Sequence, residues 1–274
     1  MSSPNPTSPA LIHGEIASVF DDIFFVRGAW VMPLPLRPRI SRSMTILRDP
    51  ATGDLTLVNS MRLSEAGLAS LEALGTVRHV IRLASMHGAD DAFYRDRYGA
   101  KIWALEGSFY SRGLTADASP EENYFEADAF FDSASDLPIQ NASVHVMKSP
   151  RLIEASVLLQ RDGGILLSGD YFHNTPRPDE FTNGIASAGM RLFGLARPCN
   201  IGVGWAMMTK PSRQDFLSLL DLEFEHVLPI HGVPAIGNAK ERYRPAIEKF
   251  AKKAWVAGEE SQSPAGAGPV VARH

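Results

Sequence analysis

The sequence has 274 residues, 45% of them hydrophobic, which is enough to bury the core of one large domain or two small ones. Its net charge of −4 and pI of about 6.1 offer no basic field, so we expect neither nucleic acid nor a membrane as a partner. Cys199, the single cysteine, has no partner for an intrachain disulfide, which suits a reducing compartment. No apolar run has transmembrane length and no secretion signal is evident, so we expect a cytoplasmic protein.

Composition predicts three regions along the chain. Residues 1–20 begin with proline, serine and asparagine and are predicted to form an N-terminal leader. Residues 21–256 are predicted to form one domain, because no repeat or linker divides them. Residues 257–274 are rich in glycine, serine, proline and alanine without periodicity, which predicts a disordered tail.

The first half of the domain is predicted to alternate strands with helices. A helix is predicted to begin after Ser64, whose hydroxyl can cap it, and to end at Gly75. Residues 49–54, DPATGD, are rich in turn-forming residues and predict a hairpin turn between strands 43–47 and 55–59. The other predicted elements are strand 23–36, interrupted at Gly28, strand 77–84, helix 92–98 and strand 101–105.

The second half is predicted to begin with loops and to continue with hairpin strands and helices. Residues 106–142 are acidic and aromatic and are expected to form loops with a short helical piece. The predicted strands are 144–147, 154–160, 164–168 and 226–230. The predicted helices are 185–195, 212–222 and 239–255.

Three predicted strands end at side chains that can bind metal ions. Strand 77–84 runs into residues 85–91, SMHGADD, a strand-to-helix loop of the kind in which α/β proteins often place functional residues. Strand 164–168 is followed by Gly169 and Asp170, and strand 226–230 by His231 and Gly232. Three such strand ends together indicate a site more strongly than any one of them alone.

The order and spacing of these motifs resemble the metallo-β-lactamase superfamily over roughly residues 23–255. The resemblance implies an α/β fold, a four-layer αββα sandwich with metal ligands on loops at one edge of its sheets. In that superfamily the first loop reads His-x-His-x-Asp-His. His87 matches its second histidine, Asp170 matches an aspartate that bridges two metals, and His231 matches the last histidine of the pattern.

The sequence departs from the superfamily pattern at two places. Ser85 stands at the first histidine, and only a shift of one residue places Asp90 at the aspartate position. Residues 148–152, KSPRL, lack the histidine of a Gly-His-Thr turn, and nearby His145 lies inside a predicted strand. A normal two-metal site is therefore not expected.

The resemblance nevertheless implies a reduced site for one divalent ion, Zn, Mn or Fe, or a cleft that no longer binds metal. The predicted metal ligands are His87, Asp90, Asp170 and His231, with Asp90 and Asp170 as catalytic carboxylates. The implied function is metal-dependent hydrolysis of an ester, thioester, amide or phosphoester. The alternative is a catalytically inactive protein of this fold that binds a small molecule or a protein. We expect a small-molecule substrate or ligand, and homo-oligomers are compatible with the sequence.

Each of these residues also has a purely structural interpretation. Asp90 and Asp91 lie at a predicted helix start, where carboxylates balance unpaired amides and the helix dipole without any metal. Asp170 after a glycine is typical of a turn cap, and His231 before a glycine is compatible with a buried histidine bonded to backbone. His173 is expected to face solvent rather than to reach the edge of the site.

Overall fold

The computed structural model describes residues 9–32, 34–108 and 127–259. The strands of the first half are β1 (Ala17–Phe20), β2 (Ile23–Val31), β3 (Arg39–Arg48), β4 (Asp54–Val58), β5 (Thr76–Arg82), β6 (Lys101–Leu105) and β7 (Ala129–Phe131). Those of the second half are β8 (Ala142–Met147), β9 (Glu154–Leu159), β10 (Ile165–Ser168), β11 (Phe172–Asn174), β12 (Asn200–Ile201), β13 (His226–Leu228) and β14 (His231–Gly232). The helices are α1 (Glu65–Glu72), α2 (Asp91–Tyr98), α3 (Gly184–Leu192), α4 (Val203–Thr209), α5 (Arg213–Ser218) and α6 (Ala239–Glu259).

The strands form three sheets. The largest has the order β1-β2-β3-β4-β5-β6-β7, antiparallel from β1 to β4 and parallel from β4 to β7. The second has the order β13-β10-β9-β8, and the small third sheet has the order β12-β11-β14. The parallel half of the first sheet follows from the helices α1 and α2, which return the chain to the same end of the sheet.

Apolar side chains of the two larger sheets meet in one buried layer. Phe25, Ile81 and Leu105 of the first sheet pack there with Val157 and Leu167 of the second. A separate cluster lies between the first sheet and helices α1 and α2, and another lies between the second sheet and helices α4–α6. The order of layers is therefore helix, sheet, sheet, helix, which confirms the predicted four-layer α/β sandwich.

Local sequence signals explain several element boundaries. The side chain of Ser64 accepts a hydrogen bond from Gly67 N, as predicted for a helix cap. Helix α2 ends at Gly99, whose φ of 66° is a left-handed conformation that glycine adopts without strain. The β3–β4 hairpin is confirmed, with β-bridges that pair Arg48 with Leu55 and Thr45 with Val58.

Other predictions need correction. The strand predicted over 23–36 ends at Val31, and Gly28 does not interrupt it because Gly28 pairs with Arg42 of β3. The short helical piece predicted within 106–142 stays a prediction for residues 109–126, which lie outside the described residues; residues 127–142 contain β7 and no helix. The short strands β11, β12 and β14 were not predicted.

The predicted leader and tail are described in part. Within the leader, Ala29 N donates to Ile12 O and Gly14 N donates to Arg27 O, so residues 12–14 lie beside β2. The predicted tail, residues 257–274, lies outside the described residues except for 257–259, which close α6. No helix of the described chain combines the length and apolar composition needed to cross a bilayer.

Candidate metal centre

Three loops bring His87, Asp170 and His231 together at one end of the sandwich. Asp170 Oδ1 lies 2.7 Å from His87 Nε2 and 3.0 Å from His231 Nε2. One ligand atom from each residue lies within 4.8 Å of the other two, which makes this a possible metal-binding group. His87 follows β5, Asp170 follows β10, and His231 begins β14, so the ends of three strands position the group.

A backbone carbonyl fixes the orientation of the His231 ring. His231 Nδ1 lies 2.7 Å from Ser41 O in β3, and because a carbonyl only accepts, Nδ1 carries the hydrogen. In a neutral ring Nε2 then carries a lone pair, and this atom faces Asp170. A histidine held in this way through its other nitrogen is typical of metal-binding proteins.

When the rings of His87 and His231 are both neutral, no positive charge balances the Asp170 carboxylate between them. His87 Nε2 can donate its proton to Asp170 Oδ1, but the lone pair of His231 Nε2 then meets the same carboxylate oxygen at 3.0 Å. Asp170 Oδ2 and His87 Nδ1 are also buried without a hydrogen-bond partner among the described residues. A proton on His231 or a bound cation would relieve this arrangement.

Burial and mutual attraction shift the pKa values of this group. Burial lowers the pKa of His87, against the opposing attraction of Asp170, so neutral imidazole is favoured. Burial by itself would raise the pKa of Asp170, but the neighbouring His87 and His231 outweigh it and hold that pKa well below its usual range. A deprotonated carboxylate beside neutral imidazole is the protonation state that metal ligation requires.

A second carboxylate, Glu154, supports Asp170 from the first residue of β9. Asp170 N donates to Glu154 Oε2 at 2.8 Å, and the side chain of Glu154 is fully buried. Burial, reinforced by the nearby Asp170 carboxylate, raises the pKa of Glu154 well above its usual value, so Glu154 is held as the neutral acid. A Cβ at Gly169 would lie 2.7 Å from Glu154 Oε2, so glycine at 169 makes this close approach possible.

The indole of Trp30 covers the two histidines from β2. Its ring centroid lies 5.3 Å from that of His87 and 6.2 Å from that of His231. The three ligand side chains are correspondingly buried, with exposed fractions of 2% for His87, 3% for Asp170 and 5% for His231. Trp30 therefore limits the access of water to the group.

Asp90, the remaining predicted ligand, is not a member of the group formed by the other three. Its carboxylate lies 3.3 Å from Arg42 Nη1 and accepts a hydrogen bond from Arg62 N at 3.0 Å. Asp91 accepts a hydrogen bond from Ser60 Oγ at 2.6 Å and lies 3.8 Å from Arg82 Nη1. Burial raises the pKa of Asp91 to about 6, against the opposing effect of Arg82. The side chain of Asp90, the N-cap residue of α2, makes no capping hydrogen bond, and Asp91 is the acidic residue of the first turn of this helix.

The prediction that His173 faces solvent was wrong. β11 pairs in parallel with β14, which places His173 beside His231, and the two ring centroids lie 4.7 Å apart. Burial, followed by the neighbouring His231, lowers the pKa of His173 to about 3. His173 is thus a neutral neighbour of the candidate ligands at neutral pH. Its position depends on a three-residue strand that has no recognisable periodicity.

The position of the missing superfamily histidine carries no substitute ligand. His145 lies in β8, as predicted, where its Nε2 lies 3.3 Å from Ser218 Oγ, and it is not a member of the metal-binding group. Leu152 is buried in the apolar cluster beneath α4–α6. The sequence analysis assigns no role to Glu154, Arg42 or the covering Trp30. An acidic residue that opens the apolar strand EASVLL was the available signal for Glu154.

A cavity of about 620 Å³ lies next to the group rather than over it. Asn174 and Gly232, which follow His173 and His231 in their strands, line part of it. Its lining includes none of the three candidate ligands. The cavity is therefore a neighbouring space that a bound molecule could share with the site.

Most of the chain is similar in fold to solved structures, among them metallo-β-lactamases. FIM-1 from Pseudomonas aeruginosa, in its mono-zinc form, superposes with a TM-score of 0.57 and 13% identity over 92% of this chain and 98% of that one. VMB-1 gives a TM-score of 0.59 at 11% identity, over 92% and 99% of the two chains. A fragment of a diflavin flavoprotein from Nostoc gives 0.55 at 12% identity, over 92% and 100%.

Sequence comparison is less informative than structural comparison for this chain. No protein-family model matches the sequence, and no curated protein does either. Likeness at 11–13% identity establishes the fold and leaves the activity open. With two packed sheets, helices on both outer faces and a His/Asp/His group at one sheet edge, the chain has the metallo-β-lactamase fold.

Proposed function

We propose that the protein is a hydrolase that uses one divalent metal ion bound by His87, Asp170 and His231. The single observation that carries the proposal is the convergence of these three ligand atoms from three separate strand ends. The atoms face one another without a neighbouring cation in the group, although Asp170 is held deprotonated. A buried arrangement of this kind is costly unless a positive charge joins it.

The donor set fits a transition metal. Two imidazole nitrogens and one carboxylate oxygen suit Zn, Mn or Fe, and three protein ligands leave a position open for water or substrate. Ligand atoms around a tetrahedral zinc lie about 3.3 Å apart, given bond lengths of about 2.0–2.1 Å. The separations of 2.7 and 3.0 Å would need to widen by a few tenths of an ångström, which is a small side-chain movement.

The surrounding residues would prepare this site. A divalent ion bound here supplies a water of lowered pKa and polarises the oxygen of a carbonyl or phosphoryl group. Ser41 O keeps the Nε2 lone pair of His231 turned towards the ligand group, and Glu154 fixes the backbone at Asp170. Trp30 covers the histidines and reduces the competing hydration of the ligands. The substrate classes that fit are esters, thioesters, amides and phosphoesters.

We propose one metal ion rather than two because the second ligand set is incomplete. Asp90 is paired with Arg42, and Ser85 donates to the carbonyl of Ile153 at 3.4 Å. No histidine lies in residues 148–152. We accordingly propose Asp170 as the principal site carboxylate and assign Asp90 to the ion pair.

Metal analysis tests this proposal directly. Protein purified without chelators should contain close to one equivalent of a transition metal, and His231→Ala and Asp170→Ala should each release it. His145→Ala is the matched control, since this histidine lies outside the group, and its metal content should equal that of the wild type. Retention of metal by both site variants would show that the ligands are wrong. Hydrolysis of a panel of chromogenic esters, thioesters and phosphoesters should depend on the same two residues.

The alternative function is binding without catalysis. The burial of all three ligands beneath Trp30, together with a separate cavity of about 620 Å³, favours this alternative over open access to a metal-bound water. Less than one tenth of an equivalent of metal after reconstitution with Zn, Mn and Fe would support the binding module and refute the hydrolase.

A further inference from the structure

Five large apolar side chains are exposed on helix α3 and on the loop between β2 and β3. We name them the α3 ridge: Leu34, Leu36, Ile185, Leu192 and Phe193, with exposed fractions of 41%, 76%, 47%, 79% and 71%. Scattered exposed apolar residues are normal, but a group of this kind on joined elements marks an interaction surface.

Hydrogen bonds join the loop to the helix. Asn183, the N-cap of α3, accepts from Arg39 N and donates to Arg37 O, and Asn183 N donates to Arg39 O. Ile185 and Leu192 are seven residues apart and therefore share one face of the helix. Of the residues in α3, Ala186 is the buried one, so the helix presents most of its surface outward.

Exposed arginines accompany the ridge although the chain is acidic overall. Residues 23–48 contain five arginines, of which three form ion pairs with acidic side chains: Arg27, Arg42 and Arg48. Residues 181–214 contain four basic residues and no acidic one. The whole chain carries a net charge of −4, so acidic residues are concentrated elsewhere. Arg37, Arg191 and Arg197 are exposed within these segments, and no ion pair with an acidic side chain engages them in the described chain.

The combination of exposed apolar side chains and arginines favours a partner whose surface is both anionic and partly apolar. In a two-fold dimer through this ridge each arginine would approach the same positive surface of the second copy, which opposes that contact. On an anionic bilayer, leucine and phenylalanine enter the acyl boundary and arginines contact lipid phosphates. We propose that the α3 ridge docks the protein on an anionic lipid surface.

The ridge lies beside the candidate site. The loop that carries Leu34 and Leu36 follows Trp30, the residue that covers His87 and His231. The segment that follows α3 also contacts the chain after β11, because Thr175 N donates a hydrogen bond to Arg197 O at 3.2 Å. Docking would thus place this end of the sandwich against the membrane. The proposal is independent of metal binding, and it departs from the expectation based on net charge alone.

Co-sedimentation with lipid vesicles tests the proposal. The full chain should bind vesicles that contain phosphatidylglycerol, should bind phosphatidylcholine vesicles weakly, and should dissociate from the former as salt increases. The double variant L192S/F193S should lower the binding constant by at least about tenfold. Arg191→Gln and Arg197→Gln should each lower it by about fivefold.

Phe130→Ser is the matched control for loss of an exposed aromatic side chain. Phe130 is 56% exposed on β7, four strands from β3 and therefore about 19 Å away at the usual strand spacing. This variant should bind like the wild type. Equal binding to both vesicle types, no binding, or an unchanged L192S/F193S variant would overturn the proposal. A concentration-dependent dimer that this variant abolishes, without vesicle binding, would identify the ridge as a contact between copies and also overturn it.

Discussion

The two halves of the loop at residues 85–91 have contrasting electrostatic partners. His87 faces a carboxylate and a second imidazole, in a group that contains no arginine or lysine. Asp90 and Asp91 face Arg42 and Arg82, in a cluster that is almost completely buried. A few residues therefore separate a region that lacks a positive charge from a region whose charges are paired within the protein.

This contrast shows what makes a carboxylate available as a ligand. Asp90 was predicted to be a ligand, but its ion pair with Arg42 already provides its counter-charge. Asp170 Oδ1 instead faces the Nε2 atoms of two imidazoles, which are themselves candidate metal ligands. The side chains that surround each carboxylate, rather than its position in a motif, therefore distinguish the ion-paired Asp90 from the candidate ligand Asp170.

Removal of Arg42 should give the largest effect on stability. Arg42→Met leaves Asp90 buried without its counter-charge and also removes a hydrogen bond to Ser60 O. We expect the free energy of unfolding to fall by about 3–5 kcal/mol, measured by urea denaturation. The exposed Arg37→Met is the control and should change it by less than about 0.5 kcal/mol. A similar small loss for both would contradict a paired cluster.

The coupling between Arg42 and Asp90 should be the next largest quantity. If the ion pair is the dominant interaction, the double variant R42M/D90L should be more stable than the sum of the single losses predicts, by about 2–3 kcal/mol. A double-mutant cycle in urea measures this coupling. Simple additivity of the two losses would mean that the two side chains stabilise the protein independently.

Acidification should destabilise the site region through His173. Its pKa is about 3 in the folded chain and near 6.5 when unfolded, so below pH 6.5 the unfolded state takes up a proton that the folded state does not. Stability contributed by neutral His173 is present above pH 6.5 and is lost as the pH falls towards 3.

At pH 5 the free energy of unfolding should be lower by about 2 kcal/mol at most through His173. This follows from about 1.4 kcal/mol for each pH unit below the unfolded pKa. His173→Gln should reduce the slope of unfolding free energy against pH between 6.5 and 5, measured with EDTA present so that metal binding does not contribute. Parallel slopes for the variant and the wild type would show that His173 titrates similarly in both states.

The smallest expected effect concerns metal binding by an Asp90 variant. Asp90→Asn should leave the metal stoichiometry and the affinity unchanged, because the Asp90 carboxylate bonds to Arg42 and Arg62 N and not to a candidate ligand. Calorimetric titration with Zn²⁺ measures this, beside Asp170→Asn, which should lose about 100-fold or more in affinity. A loss for Asp90→Asn as large as that for Asp170→Asn would restore Asp90 as a ligand.

Much of the fold could be predicted because its signals are local. The strand 101–105 was predicted with the bounds that β6 has, and the Ser64 cap forms as expected. β11, β12 and β14 have two or three residues each, too few for a periodic pattern to be recognised. Pairing across the small third sheet, which no local pattern encodes, creates these strands.

The candidate site was predictable only where strand ends carry the ligands. His87, Asp170 and His231 follow apolar runs, and the resemblance places their loops at one sheet edge. The partner of Asp90 could not be predicted, because Arg42 lies on β3, far along the chain and without a motif. The same limitation explains the wrong prediction for His173, whose neighbour is set by the register of β11 against β14.

The bond between His231 and Ser41 has a practical consequence for engineering. Because its acceptor belongs to the main chain, exchanging the serine side chain for alanine cannot delete it. Only a slip in the alignment of β3 with its neighbours would free the imidazole to rotate. Residue 41 is therefore a position where the side chain can be exchanged while ring geometry and tautomer are preserved.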